Sequence, residues 1–256
     1  MNLHSCILTG NDCYKADRWI TPAGVMVHST GVNNPNLRRY VQPDDGLLGT
    51  NPNGNDWNRN GTGACVHAFI GKLADGTIAT YQTLPWTMRG WHCGDEGNNT
   101  HISFEICEDG LEDENYFRAV YREAVELTAY LCKEYGLDPL ADGVVICHQE
   151  GYRRGIASNH GDVLHWFPRH GKSMDDFRQD VKEEMESDMS EQQFYEMFLQ
   201  AMAKYNKKLE SKEVSAWAKE DWDRAVEDGI FDGTMPQAPL TREQAAAIIA
   251  RMEAEK

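Results

Sequence analysis

His28 and His148 each stand at the end of an apolar run, Val25-Met26-Val27 and Val144-Val145-Ile146-Cys147. Asp162 follows in the stretch Ser158-Asn159-His160-Gly161-Asp162, and Glu105 sits in the middle of a third apolar run. Two imidazoles and a carboxylate suit a catalytic zinc, which takes three protein ligands and keeps a fourth position for water. A carboxylate outside that set, here Glu105, can act as general base on the water. A plainer reading stays open on residue types alone. The chain has nine histidines, so some fall at strand ends by chance and are simply hydrogen-bonded there. His4, His101, His165 and His170 take that reading; His165, three residues beyond Asp162, is the main competitor for a ligand position. No His-Glu-x-x-His occurs, which speaks against a zinc peptidase of that type.

The elements that must position these groups can be read from periodicity. Residues 25 to 30 read as a buried strand ending at a polar site, and residues 65 to 72 as a second. Ala74-Asp75-Gly76-Thr77 signals a turn, which returns Ile78 to Leu84 as a hairpin partner. In His101 to Glu108, Ile102, Phe104 and Ile106 point one way and Ser103, Glu105 and Cys107 the other. Gly143 to His148 is a further strand. Between them, Phe117, Val120, Tyr121, Ala124, Leu127 and Leu131 keep the three-four spacing of one buried helix face, and Gly136 ends the helix. Asn51 to Gly63, rich in Asn and Gly, is a loop. The expected fold class is α/β: a central mixed sheet flanked by helices, followed by a small all-α C-terminal domain.

Composition narrows the partners. Forty-one acidic against 25 basic residues give a formal net charge of −16. That argues against nucleic acid and against an anionic membrane surface, apart from a local basic spot at Arg153 and Arg154. No run is long and apolar enough for a membrane span. Met1 to Gly10 shows no Sec-type signal, so the expectation is a chain that stays in the cytosol or leaves by a route the sequence does not encode. Seven cysteines at irregular spacing, with no Cys-x-x-Cys, predict free thiols in a reducing compartment, Cys107 and Cys147 being plain core residues.

Residues 20 to 180 resemble the type-2 N-acetylmuramoyl-L-alanine amidase family, which includes phage lysozyme-like amidases, bacterial recycling amidases and peptidoglycan recognition proteins. The matching motifs run in order: Val25-Met26-Val27-His28-Ser29-Thr30; His67-Ala68-Phe69-Ile70 with Asp75-Gly76-Thr77; Trp91-His92 with Gly97-Asn98-Asn99; Ile102-Ser103-Phe104-Glu105-Ile106; and His148 with His160-Gly161-Asp162. The resemblance implies zinc held by His28, His148 and Asp162, and Glu105 as general base. It implies His160 as donor to the oxyanion, and a cleft lined by His67 and His92, for which a purely structural role is the alternative. Two departures stand out: His160 replaces the lysine of many relatives, and Asp162 is followed by Val163 instead of proline. The implied reaction is hydrolysis of the bond between the lactyl group of N-acetylmuramic acid and L-alanine in peptidoglycan. The competing readings are a cytosolic recycling amidase and a module that binds peptidoglycan without cutting it.

Composition shifts near residue 183, where Glu183-Glu184-Met185-Glu186-Ser187-Asp188 lacks apolar periodicity. The expected division is a catalytic domain over 1–185 and a helical domain over 190–256. Ser190 with Gln193, and Thr241 with Gln244, carry capping-box signals for two helices. Phe194, Met197, Phe198, Ala201, Met202 and Tyr205 form an apolar stripe, and a further helical stretch holds Trp217, Trp222, Ala225 and Val226 and ends at Gly229. Trp217 to Glu243 resembles one S-layer homology-like repeat, which implies attachment to a cell-wall polymer; three helices that merely pack are the alternative. Together these imply a phage endolysin, made in the host cytoplasm and acting on the wall after release. Self-association through Phe194, Phe198 and Met202 is expected of so small a domain.

Overall fold

Strand alternation along His101–Glu108 organises the sheet. In the computed structural model, which describes residues 1–187 and 191–254, this segment is β5, one of the two central strands of a six-stranded sheet. The strands are β1 (Leu3–Ser5), β2 (Gly24–Asn33), β3 (Ala68–Lys72), β4 (Ile78–Gln82), β5 and β6 (Val145–Cys147), in the order β1-β4-β3-β5-β2-β6. Only β3 and β4 pair antiparallel, as the hairpin the Asp75-Gly76 turn predicts; the other neighbours are parallel. The sheet is therefore mixed.

Both faces are covered, as parallel strands require. Helices fall at α1 (Asp12–Lys15), α2 (Glu114–Tyr135), α3 (His148–Arg153) and α4 (Met174–Ser187). On one face Val25, Val27, Phe104, Ile106 and Val145 pack against the α2 stripe of Phe117, Val120, Ala124 and Leu127, with Trp166 and Phe177 beside them. Asp113 caps the start of α2, accepting from Asn115 N–H and Tyr116 N–H, and Gly136 ends it at φ +64°. On the other face Phe69, Tyr81 and Cys107 pack against Leu37, Tyr40, Val41 and Leu48.

The structure departs from the sequence reading at four places. Cys13 and Cys65 form a disulfide, while Cys6, Cys93, Cys107, Cys132 and Cys147 are free. Strand β3 begins at Ala68; Cys65, three residues earlier, makes only a bridge to Trp91. His148 opens α3 and does not end a strand. The acidic run from Glu183 to Ser187 is the last turn of α4, because Phe177 and Val181 carry that helix on the core.

The chain divides into two compact units, Met1–Asp188 and Met189–Lys256. The second contains helices α5 (Glu191–Glu210), α6 (Lys219–Glu227) and α7 (Arg242–Ala254). Ser190, the expected cap of α5, lies outside the described residues. The Thr241 cap is formed: Gln244 N–H donates to Thr241 Oγ1, and Thr241 N–H to Gln244 Oε1. Trp222 stacks on Phe231 at 4.9 Å. Phe194, Phe198 and Met202 are exposed. Among the described residues no helix is long and apolar enough to cross a membrane.

Candidate metal centre and its cleft

Register brings the site together. Parallel pairing sets His28 on β2 opposite Glu105 on β5, and Val27 opposite Cys147 on β6. Residues in register on parallel strands face the same way. Val27, Phe104 and Cys147 therefore point into the α2 core, while His28 and Glu105 point to the opposite face. His148, one step past Cys147, starts α3 beside them. Asp162 arrives from a short 3-10 turn, Asp162–His165, whose Val163 is buried in the core.

Three atoms converge. His28 Nδ1 lies 2.8 Å from Asp162 Oδ2, His148 Nδ1 lies 3.0 Å from the same oxygen, and the two Nδ1 atoms are 3.1 Å apart. Bonds of ~2.0 Å from a tetrahedral zinc would set such atoms ~3.3 Å apart, so this triangle fits one ion after a small expansion. The remaining ring nitrogens are also held: His28 Nε2 is 2.9 Å from His92 Nδ1, and His148 Nε2 is 3.2 Å from Ser158 Oγ. Partners of that kind orient histidines that bind metal. Asp162 itself has φ +42°, an uncommon backbone state for a residue with a side chain. Strain of this kind gathers at functional sites.

The surroundings drive the two carboxyls apart. Burial raises Glu105 well above the ordinary carboxylate range, and the negative charges of Asp162 and Glu108 add to it. Its Oε2 is shut from solvent and has no hydrogen-bond partner among the described residues. Burial also pushes Asp162 upward, but hydrogen bonds from His148 and His28 outweigh it and hold that carboxyl well below its usual range. Burial keeps His28 neutral to lower pH, with Asp162 opposing in part. His92 is lowered more strongly, by burial and then by neighbouring imidazoles.

Glu105, His148, His160, Asp162 and His92 line one cavity of ≈ 540 Å³. His160 is exposed, lies against His148 with ring centroids 4.7 Å apart and planes tilted by 38°, and has its Nδ1 3.1 Å from Ser158 Oγ. His67 is not in the cleft. It is fully buried, with Nδ1 accepting from Ser103 N–H at 3.0 Å and Nε2 2.8 Å from the Met88 carbonyl. Burial lowers it to about 4. His165, the competitor for the ligand set, is taken up by Glu108 at 2.9 Å. His101 holds the Gly143 carbonyl, His170 the Leu111 carbonyl, and His4 stacks on Tyr81.

Sequence reasoning assigned no role to Ser158, Asn98 or Glu108. Ser158 stands four residues before Asp162 as the only hydroxyl of that stretch, which is a signal of a kind. Asn98 Oδ1 accepts from the backbone N–H of His92 and of Cys93, fixing the turn that presents His92. Glu108 ends an apolar strand, where a solvated acid is the usual reading.

A family described as N-acetylmuramoyl-L-alanine amidase matches residues 18–164, more than half of the chain. No curated protein matches the sequence. Similar solved structures include the Staphylococcus aureus hydrolase AmiA in complex with its ligand, at 19% identity and TM-score 0.54, over 72% of this chain and 83% of that one. A mutant of PlyL gives 20% identity and TM-score 0.50, over 71% and 99%. The PlyG catalytic domain gives 20% and 0.50, over 74% and 99%. At these identities the likeness establishes the fold.

Proposed function

The chain belongs to the N-acetylmuramoyl-L-alanine amidase family, and from that premise we propose that this peptidoglycan amidase is zinc-dependent and serves as a phage endolysin. The bond cut joins the lactyl group of N-acetylmuramic acid to L-alanine. One observation carries the zinc assignment: His28 Nδ1, His148 Nδ1 and Asp162 Oδ2 meet within 3.1 Å of one another, and Glu105 lines the same cavity as His148 and Asp162. Zinc held by these three would supply Lewis acidity, polarising the amide carbonyl and lowering the pKa of water toward ~7.

The rest is the work of the chain's own residues. Glu105 takes a proton from water and passes it to the leaving amine. Its raised pKa makes it a stronger base than an ordinary carboxylate. His160, at the open side of the cavity, donates to the oxygen that gains charge in the tetrahedral intermediate. Ser158 and His92 keep the two ligand imidazoles in one tautomer and one orientation. The second unit attaches to a wall polymer and associates with a second copy through the exposed Phe194, Phe198 and Met202. The enzyme reaches the wall after release from the host cytoplasm.

Digested walls test this reading. New L-alanine amino termini should appear by mass analysis without new reducing sugars, chelation should stop their release, and added zinc should restore it. Full activity in a metal-free preparation refutes the zinc assignment; new reducing ends refute the bond.

A further inference from the structure

Glu108 closes β5 and is buried. A carboxylate in such a place needs partners. Its Oε1 has two: Ser29 Oγ donates at 2.6 Å, and His165 Nε2 lies at 2.9 Å. The two partners come from the two segments that carry His28 and Asp162. Ser29 follows His28 on β2. His165 ends the four-residue 3-10 turn that Asp162 begins.

The strand is shaped for this contact. Ser29 is in register with Ile106, but Asn33 with Glu108, so four steps along β2 match two along β5. Such a bulge bends the strand and re-aims its side chains. Here it also directs Thr30 Oγ1 to the backbone N–H of Glu108, at 3.1 Å. The turn bearing Asp162 has weak local support. Gly161 offers no side-chain cap, and Asp162 sits at φ +42°. Val163 anchors the turn in the core, and His165 ties it to β5.

We propose that Glu108 is a positioning residue of the metal centre: by holding Ser29 and His165 on one oxygen, it sets the separation of His28 and Asp162. The proposal rests on the zinc reading of His28, His148 and Asp162. Glu108 acts through the backbone of two ligand-bearing segments, so its removal loosens the site before any substrate binds.

The test is zinc affinity of the full-length, metal-stripped protein, measured with zinc alone against a competing chelator. The variants are Glu108→Gln, His165→Gln and the pair. Glutamine keeps the size of Glu108 and still accepts from Ser29, but it is the weaker acceptor for an imidazole. Each single variant should bind zinc about tenfold more weakly, the lower end for residues that support a metal site. The double variant should lose no more than the weaker single, because both cut the same bond. Melting of the metal-free proteins is followed alongside. A merely structural brace lowers the melting temperature and leaves zinc affinity within twofold of the parent, which overturns the proposal; additive losses also overturn it. A parent that binds no zinc refutes the metal reading itself, a distinct outcome. If Glu108→Gln does not fold, His165→Gln decides alone by the same twofold criterion, its side chain being 40% exposed.

Discussion

Glu105 and Asp162 are carboxylates of one cavity with opposite tendencies, and each tendency has a test. Glu105 is raised by burial, with Asp162 and Glu108 adding to it. Glu105→Gln should retain zinc and lose turnover by roughly 10²-fold or more; near-normal rates at full zinc content would make Glu105 structural. Stability should move the other way. The folded pKa lies above the ordinary 4.5, so the stability tied to the protonated acid is complete below pH 4.5 and is lost as pH rises through the folded value. The metal-free variant should therefore match its parent below pH 4.5 and exceed it increasingly above, as read by denaturant unfolding across that range. Asp162 is held low by two histidines. Asp162→Ala should release zinc, whereas His160→Ala should keep zinc and lower turnover. Metal analysis beside kinetics checks this, and a swap of the two outcomes would make His160 the ligand.

At the scale of elements, the spacing of β2 and β6 decides whether two histidines can share an ion. A Cβ on Gly24 would stand 2.4 Å from the Val144 carbonyl oxygen and 2.7 Å from the His101 ring. Backbone cannot yield as a flexible side chain does, so Gly24→Ala must push β2 from β6. It should cost about 1–3 kcal/mol of stability, as overpacking does. It should also weaken zinc binding, because His28 rides on β2 and His148 follows directly on β6 as the first residue of α3. Asp113→Ala is the contrast. It removes the cap of α2, on the far face of the sheet, and should cost about 1 kcal/mol with zinc affinity intact. Urea unfolding and zinc titration of both proteins separate the two effects; equal zinc affinities would mean the strand spacing does not matter.

For the whole molecule, all the proposed catalytic residues precede residue 165, in the first unit. A chain ending at residue 187 should still cleave soluble muropeptides and should bind intact walls less well, since a tether raises the local concentration of the site at its substrate. Pull-down with intact walls measures this, and equal binding by both lengths removes the targeting role. The exposed stripe of Phe194, Phe198 and Met202, at 56%, 51% and 42% of full exposure, is apolar surface that a second copy could cover. Light scattering should show the full chain associating with rising concentration and the shortened chain staying monomeric. A full chain that is monomeric throughout rules out the association.

Much of the fold was legible because short-range periodicity carries it. Alternation along Ile102, Phe104 and Ile106 already separates a core face from the face bearing Glu105, and the α2 stripe with Gly136 marks a helix and its end. The candidate set of His28, His148 and Asp162 was legible as residue types at or near the ends of apolar runs, with a family pattern to order them, and the fold brings the three together. Contacts between distant segments were not. Cys13 and Cys65 pair across 52 residues, and an irregular spacing of seven thiols carries no sign of which two meet. His67 and His92 look alike in sequence, yet the fold buries one between Ser103 and the Met88 carbonyl and leaves the other beside His28. His165 could have been a ligand by position; a buried Glu108, 57 residues earlier in the chain, takes it instead. Local pattern sets the direction of a side chain from its own strand or turn. Which group it meets there depends on how the chain closes, and that is fixed by packing among residues far apart in sequence.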